Sequence, residues 1–270
     1  MNSISQERMN YKIFRALAFV GATLFIFIRS GRALEGFYET WNPISFFQLL
    51  DGPLTPEYLL IIKWIWLLSA LLAGFGFIFN FSSKIALICA CIFLGYEYNF
   101  GYVYHSTQVY LGALFILALA PRDEKAHRYW HLSLVKLWVV YVMLITGLQK
   151  LYYGGGFSWA FSDSFYIKIF NLPYHTEFAR FVLESPVIVS QLLAIFALVI
   201  IELLAPLSLY SKRTGIAYFF IWSSFHPLVT LVFGRHYQFY SQIFIYACFL
   251  PLGPLWLKFL KSTSKTAINT

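Results

Sequence analysis

Charge is what this chain has least of. Only 12% of its 270 residues are charged, where a soluble domain carries about 25%. That leaves too little polar surface to cover a water-facing globule. Acids are scarcest, with 12 Asp+Glu against 20 Lys+Arg. Cysteine is nearly absent. Cys89 and Cys91 stand i and i+2 in one apolar run and Cys248 lies in another, so neither a CxxC redox pair nor a zinc spacing forms. The three read as small buried apolar side chains. Phosphate-cradling glycine loops, Ser-His-Asp patterns and dinucleotide fingerprints do not occur. The first apolar run follows Arg8, Lys12 and Arg15, but no A-x-A-like cleavage site comes after it. It reads as a span rather than a signal peptide.

What the chain has is apolar and aromatic surface. Hydrophobic residues make up 59%, aromatics 21%, and the mean hydropathy is +0.66. A bilayer solvates such side chains, and amphipathic Trp and Tyr rings favour its interface. The expectation is an all-α polytopic transmembrane helical bundle, one domain over 1–270, with the lipid bilayer as its first partner. A span needs roughly 20 mostly apolar residues. Eight runs qualify: 13–28, 59–79, 85–100, 105–120, 134–152, 187–210, 215–233 and 239–257. Asn80 to Lys84 reads as the turn after the second, 154–186 as an outer loop and 262–270 as a disordered tail.

The net charge of +8 sits between these runs, as topology signals rather than a nucleic-acid footprint. With the N-terminus inside, the inner loops hold 11 basic residues against Glu7, Asp123 and Glu124. Eight acids fall outside: Glu35, Glu39, Asp51, Glu57, Glu97, Asp163, Glu177 and Glu184. Every inner loop is net positive, so both termini are expected on the cytoplasmic side.

Ionisable groups at membrane depth are costly and mark function by default. Glu97, His105, Lys150 and His226 are the candidates. At 1.5 Å per residue, Glu97 lies roughly 18 Å, His226 roughly 16 Å and Lys150 roughly 24 Å from the inner face. His105 opens its span at the outer end. One outward-opening cavity is expected to collect them. Lys150 follows Gly147-Leu148-Gln149 and precedes Tyr152 and Gly154-Gly155-Gly156. A lysine in an apolar pocket loses ammonium solvation, which favours the neutral amine, a proton acceptor. The bland alternative is a lysine snorkelling at a helix end. His226 precedes Pro227, where a freed carbonyl offers it a structural use. Glu97, flanked by Tyr96 and Tyr98, also suits a hydrogen-bonded structural acid. Glu202, four residues before Pro206, reads as structural and nearer the inner face. Arg235 and His236 form a short outer loop able to hold an anion. His127 and His131 have i, i+4 spacing but lie among Arg128 and Trp130, which suits an interfacial place better than a metal, and no metal is expected.

At these residues the chain resembles a known family, the horizontally transferred transmembrane (HTTM) family, which includes the membrane domain of vitamin K-dependent gamma-glutamyl carboxylases. Gly147-Leu148-Gln149-Lys150-Leu151, followed by Trp159, looks like the segment carrying that family's lysine base. His105-Ser106 before Tyr110-Leu111, and Phe225-His226 before Gln242-Ile243-Phe244, look like its histidine segments. Arg15 in the first span, with Arg29 and Arg32 at its end, fits as well. The resemblance implies a reduced quinone as cofactor: vitamin K hydroquinone, menaquinol or ubiquinol. It implies Lys150 as the base that deprotonates it, with His105 and His226 catalytic beside it; Glu97, Tyr98, Tyr152, Arg235 and His236 are expected to bind the ligand. In the family the quinol reacts with oxygen to give a strong base, which takes a glutamate gamma proton before carbon dioxide adds. It further implies a bacterial inner membrane and a partner protein substrate. Two departures stand out. The extra-membrane domain that holds the substrate protein has no counterpart before Thr270, and Tyr104 replaces an asparagine ahead of the histidine. A non-enzymatic accessory for maturation or export of a partner is the alternative. A small transporter fits less, because no charged path reaches the inner face and no matching pair of broken helices appears.

Overall fold

The computed structural model describes residues 3–30, 42, 45–50, 52–99, 105–119, 130–172, 175–234 and 240–259. Every regular element among them is helical. The chain divides into two compact units, one of 1–135 with 251–270 and one of 136–250.

In the first unit, α1 (Ser3–Ala16) passes through a π-helical stretch, Leu17–Ala22, into α2 (Thr23–Arg29). Helix α3 (Pro56–Phe75) begins with Pro56, whose missing N–H is no loss in a first turn. It ends at Gly76, where φ is 84° and where the amides of Gly76 and Phe77 cap Ala73 and Leu72 carbonyls. Glycine reaches that left-handed conformation without a Cβ clash. Helix α4 (Phe79–Tyr98) follows at once. The turn therefore lies at 76–78, ahead of the polar run Asn80 to Lys84 expected to form it. Those residues open α4 instead, and the Ser82 hydroxyl donates back to the Phe77 and Ile78 carbonyls. Backbone geometry at Gly76 outweighed side-chain polarity. Helix α5 (His105–Ala118) has only 14 residues.

Buried polar links tie this unit together. Lys63 donates to the Ser30 carbonyl and lies 4.6 Å over the Phe27 ring. The hydroxyls of Thr23 and Tyr110 share a hydrogen bond at 2.5 Å, and Trp66 Nε1 donates to Tyr110 at 3.1 Å. Lys63 sits in the second expected span, yet it was not among the candidate ionisable residues.

Helix α6 (Trp130–Tyr153) leads into the second unit. The stretch 154–186, expected as a loop, holds three helices: α7 (Ser158–Phe161), α8 (Ser164–Phe170) and α9 (Glu177–Glu184). Their apolar positions explain this, since Ile169, Ala179 and Val182 bury themselves with Val232. Thr176 caps α9 by accepting from the Ala179 amide. Helix α10 (Val187–Ile195) continues as a π-helical segment, Phe196–Leu203, and then a 3-10 turn, Ala205–Leu209, containing Pro206. It leaves α9 at a bend of 117°. Helix α11 (Lys212–Phe233) starts from a Ser211–Thr214 capping box and carries Pro227 inside. Helix α12 (Ser241–Tyr246) ends in a short 3-10 turn. Pro251 then interrupts the eighth expected span before α13 (Leu252–Phe259).

Five described helices are long and apolar enough to cross a membrane, or up to seven if each of two bent pairs is one span. Eight such helices were expected. Two of the differences are the bent pairs, and the third is α5, whose described residues reach about 21 Å at 1.5 Å per residue against a hydrocarbon core of about 30 Å. A bilayer is the environment these helices suit. On α3, Leu60, Trp64, Leu68 and Leu72 are all exposed, one helical turn apart. Such a stripe would be costly in water and is at home in lipid.

Candidate functional site

Lys150, near the end of α6, donates to Glu202 Oε1 at 2.5 Å across 52 residues. Two neighbours bring the pair together. Gly147, one turn before the lysine, lets the π-helical segment come close: a Cβ there would stand 2.9 Å from Glu202 Cβ. Wider π-helical turns shift the phase of the residues they carry, and Glu202 is buried at 5% exposure while its flanking chain stays apolar. The Lys150 side chain keeps 28% exposure and its ammonium lies 5.0 Å over the Trp159 ring. One face of the pair is thus closed and the lysine face is reachable. Glu202 Oε2 is buried with no hydrogen-bond partner among the described residues. Such an oxygen is under-satisfied and suited to accept a further hydroxyl.

A second cation stands near. Lys168 on α8 lies 5.5 Å over the Phe233 ring. Desolvation there, and then the Lys150 ammonium, hold its own ammonium below the usual lysine range.

His226 belongs to the same unit. It is buried on α11, and its ring lies parallel to Tyr246 of α12, 5.6 Å between centroids. His226 Nε2 and the Tyr246 hydroxyl are 3.2 Å apart, and that hydroxyl donates to Gln242 Oε1, one turn earlier on α12. With the Tyr246 proton directed at Gln242, His226 Nε2 is the donor to the tyrosine oxygen. Trp222 connects the two groups. Its Nε1 donates to the Ile201 carbonyl at 3.0 Å, next to Glu202, and its ring lies 5.4 Å from Tyr246. Trp222 thus meets the backbone beside Glu202 on one side and the Tyr246 ring on the other.

Glu97 is buried on α4 in the first unit, close enough to Lys63 for the two charges to interact. Tyr98 shares a hydrogen bond with the Thr107 hydroxyl. His105 opens α5 in that unit, and its side chain lies outside the described residues, as do Arg235 and His236. Tyr152 is 81% exposed and packs edge-on against Tyr153.

Glu202 as the partner of Lys150 was missed, although a signal existed. Glu202 is the lone charge in its apolar run, and a buried charge is best placed beside one of opposite sign. Tyr246 was missed too, despite its i, i+4 spacing from Gln242. Comparison of the chain with protein-family models, with curated proteins and with solved structures found no match.

Proposed function

We propose that this chain is an integral membrane enzyme in which Lys150 is the general base toward a quinol-like ligand held in its second unit. The observation that carries the reading is the half-open Lys150–Glu202 pair, walled by Trp159 and connected through Trp222 to His226. The residues suit such a ligand. A reduced quinone offers an aromatic ring for tryptophan faces and a hydroxyl for a buried, under-satisfied carboxylate oxygen. When bound, it would supply two electrons and acidic hydroxyl protons. The chain's own part is proton handling. Glu202 Oε1 orients the Lys150 nitrogen. The amine then takes a ligand hydroxyl proton. Tyr246 and Gln242 orient His226.

The resemblance to the HTTM family and its carboxylases supports this reading and names the ligand class. Topology is part of the proposal: five long helices, two bent pairs and the short α5 make eight crossings, with both termini on the cytoplasmic side of a bacterial inner membrane. A partner protein substrate belongs to the proposal as well.

The test is oxygen uptake by purified protein supplied with menaquinol or ubiquinol. Wild type should consume oxygen and Lys150→Met should not. A Lys150→Met protein as active as wild type rules out the base. Quinone co-extracted with the protein would support the ligand class directly. One observation favours the accessory reading. Gly147 packs directly against Glu202, so the ion pair also locks two helices together. A wild type with no uptake, but with stability lost on Lys150→Met, would favour that structural use.

A further inference from the structure

The first unit contains a cavity of about 1040 Å³ between α1, the 76–78 turn and α13. Arg8, Lys12 and Arg15 line it. They stand at i, i+4 and i+7, one stripe along α1, and no acidic residue is among the described residues of its lining. The stripe reaches about 10 Å along the helix, from exposed Arg8 and Lys12 to buried Arg15. The Arg15 guanidinium lies between the rings of Tyr11 and Phe79, at 5.8 and 5.0 Å, and its Nε donates to the Gly74 carbonyl. Gly76 leaves room for it, since a Cβ there would stand 2.5 Å from Nη2. The remaining wall is apolar. It continues at the mouth into Phe75, Ile78 and Phe81, which are 65%, 73% and 66% exposed. Trp256, an interface-seeking side chain, closes the cavity from α13.

We propose that this cavity holds one anionic phospholipid, its phosphate against Arg8 and Lys12 and an acyl chain along the exposed Phe75–Phe81 surface. The exposed Arg8 and Lys12, with no acid among the described lining residues, favour an anion. The apolar wall running out to exposed aromatic residues selects one that carries a tail, where free phosphate would use only the basic half. The strain at the mouth suits a built site: Ile78, a β-branched residue, holds φ at 47°. The site is independent of Lys150.

Native mass spectrometry of the full chain in mild detergent, supplied with equal phosphatidylglycerol and phosphatidylcholine, tests it. Retention of one phosphatidylglycerol, at least fivefold over phosphatidylcholine, is the expected result. Each basic side chain near an anionic headgroup is worth about a factor of five. The double variant Arg8→Gln, Lys12→Gln changes only exposed side chains and should lower retention by roughly tenfold or more. Leu17→Trp, which fills part of the apolar wall without touching a charge, should lower it too. On wild type alone, salt at about 0.5 M should weaken the preference by screening the exposed pair. Equal retention of the two lipids overturns the proposal. So does phosphatidylglycerol retention unchanged in both variants, or full displacement of the lipid by inorganic phosphate or by an acidic peptide.

Discussion

Replacing Lys150 by Met should unsettle the protein more than replacing Glu202 by Gln, and the asymmetry can be worked from burial. Glu202 is 5% exposed. Without the lysine its carboxylate is left in an apolar site with neither oxygen bonded. Removing one partner of a buried ion pair costs about 3–5 kcal/mol. The lower end applies, because the lysine is 28% exposed and the pair is not fully dry. Glu202→Gln is gentler. The amide keeps an acceptor for the ammonium, and the exposed lysine head can snorkel toward water, so the cost is about 1 kcal/mol. The double variant buries an amide beside a thioether and should cost about 2 kcal/mol, less than the sum of the singles. The coupling is then about 2 kcal/mol, within the range for groups in direct contact. At about 3 °C per kcal/mol for a chain of this size, Lys150→Met should lower the thermal midpoint by about 10 °C and Glu202→Gln by about 3 °C. Intrinsic tryptophan fluorescence of detergent-solubilised protein is a suitable readout, since Trp159 sits on the pair. Oxygen uptake measured on the same samples separates the two uses of the lysine. The double variant should regain stability over Lys150→Met without regaining activity. Equal losses for the two single variants, or strict additivity, would refute the pairing. Recovery of activity in the double variant would refute the base.

Other substitutions probe the packing around the pair. Gly147→Ala places a methyl 2.9 Å from Glu202 Cβ and 3.1 Å from Leu203 Cδ2. The helices must separate, at about 1–3 kcal/mol, and an unchanged thermal midpoint would contradict the close crossing. Tyr246→Phe removes the hydroxyl shared by His226 and Gln242, at about 1–3 kcal/mol. Its ring should stay stacked, so tryptophan emission from Trp222 should change little while the midpoint falls. Gly76→Ala forces a Cβ into left-handed backbone at φ 84° and toward Arg15, at about 1–2 kcal/mol. A midpoint equal to wild type would mean that the turn adopts another conformation.

Much of the fold was legible along the chain, but boundaries were not. The apolar runs at 59–79, 134–152 and 215–233 correspond to α3, α6 and α11. The α3–α4 turn was misplaced because Asn80 and Ser82 look like turn residues, while the element that ends α3 is the left-handed Gly76. Helices α8 and α9 were hidden in a polar stretch because their buried positions are few and become a core only when Val232 meets them. Of the candidate site, Lys150 and His226 were recognisable as ionisable groups in apolar runs. Their partners were not, because Glu202 lies 52 residues and Tyr246 20 residues away.

By itself the sequence determined the class of environment and the helical content. Hydropathy is a sum over neighbouring residues, and a run of 20 apolar side chains is equally apolar wherever it packs. Tertiary structure alone decided which charge meets which. That depends on the rotational phase of each helix, and the π-helical turns at Leu17–Ala22 and Phe196–Leu203 reset the phase partway along two of them. It also depends on how closely helices cross, which Gly74 permits against Val20 and Gly147 against Glu202. The Lys150–Glu202 pair arises from both effects: a missing side chain on one helix and a shifted carboxylate on the other.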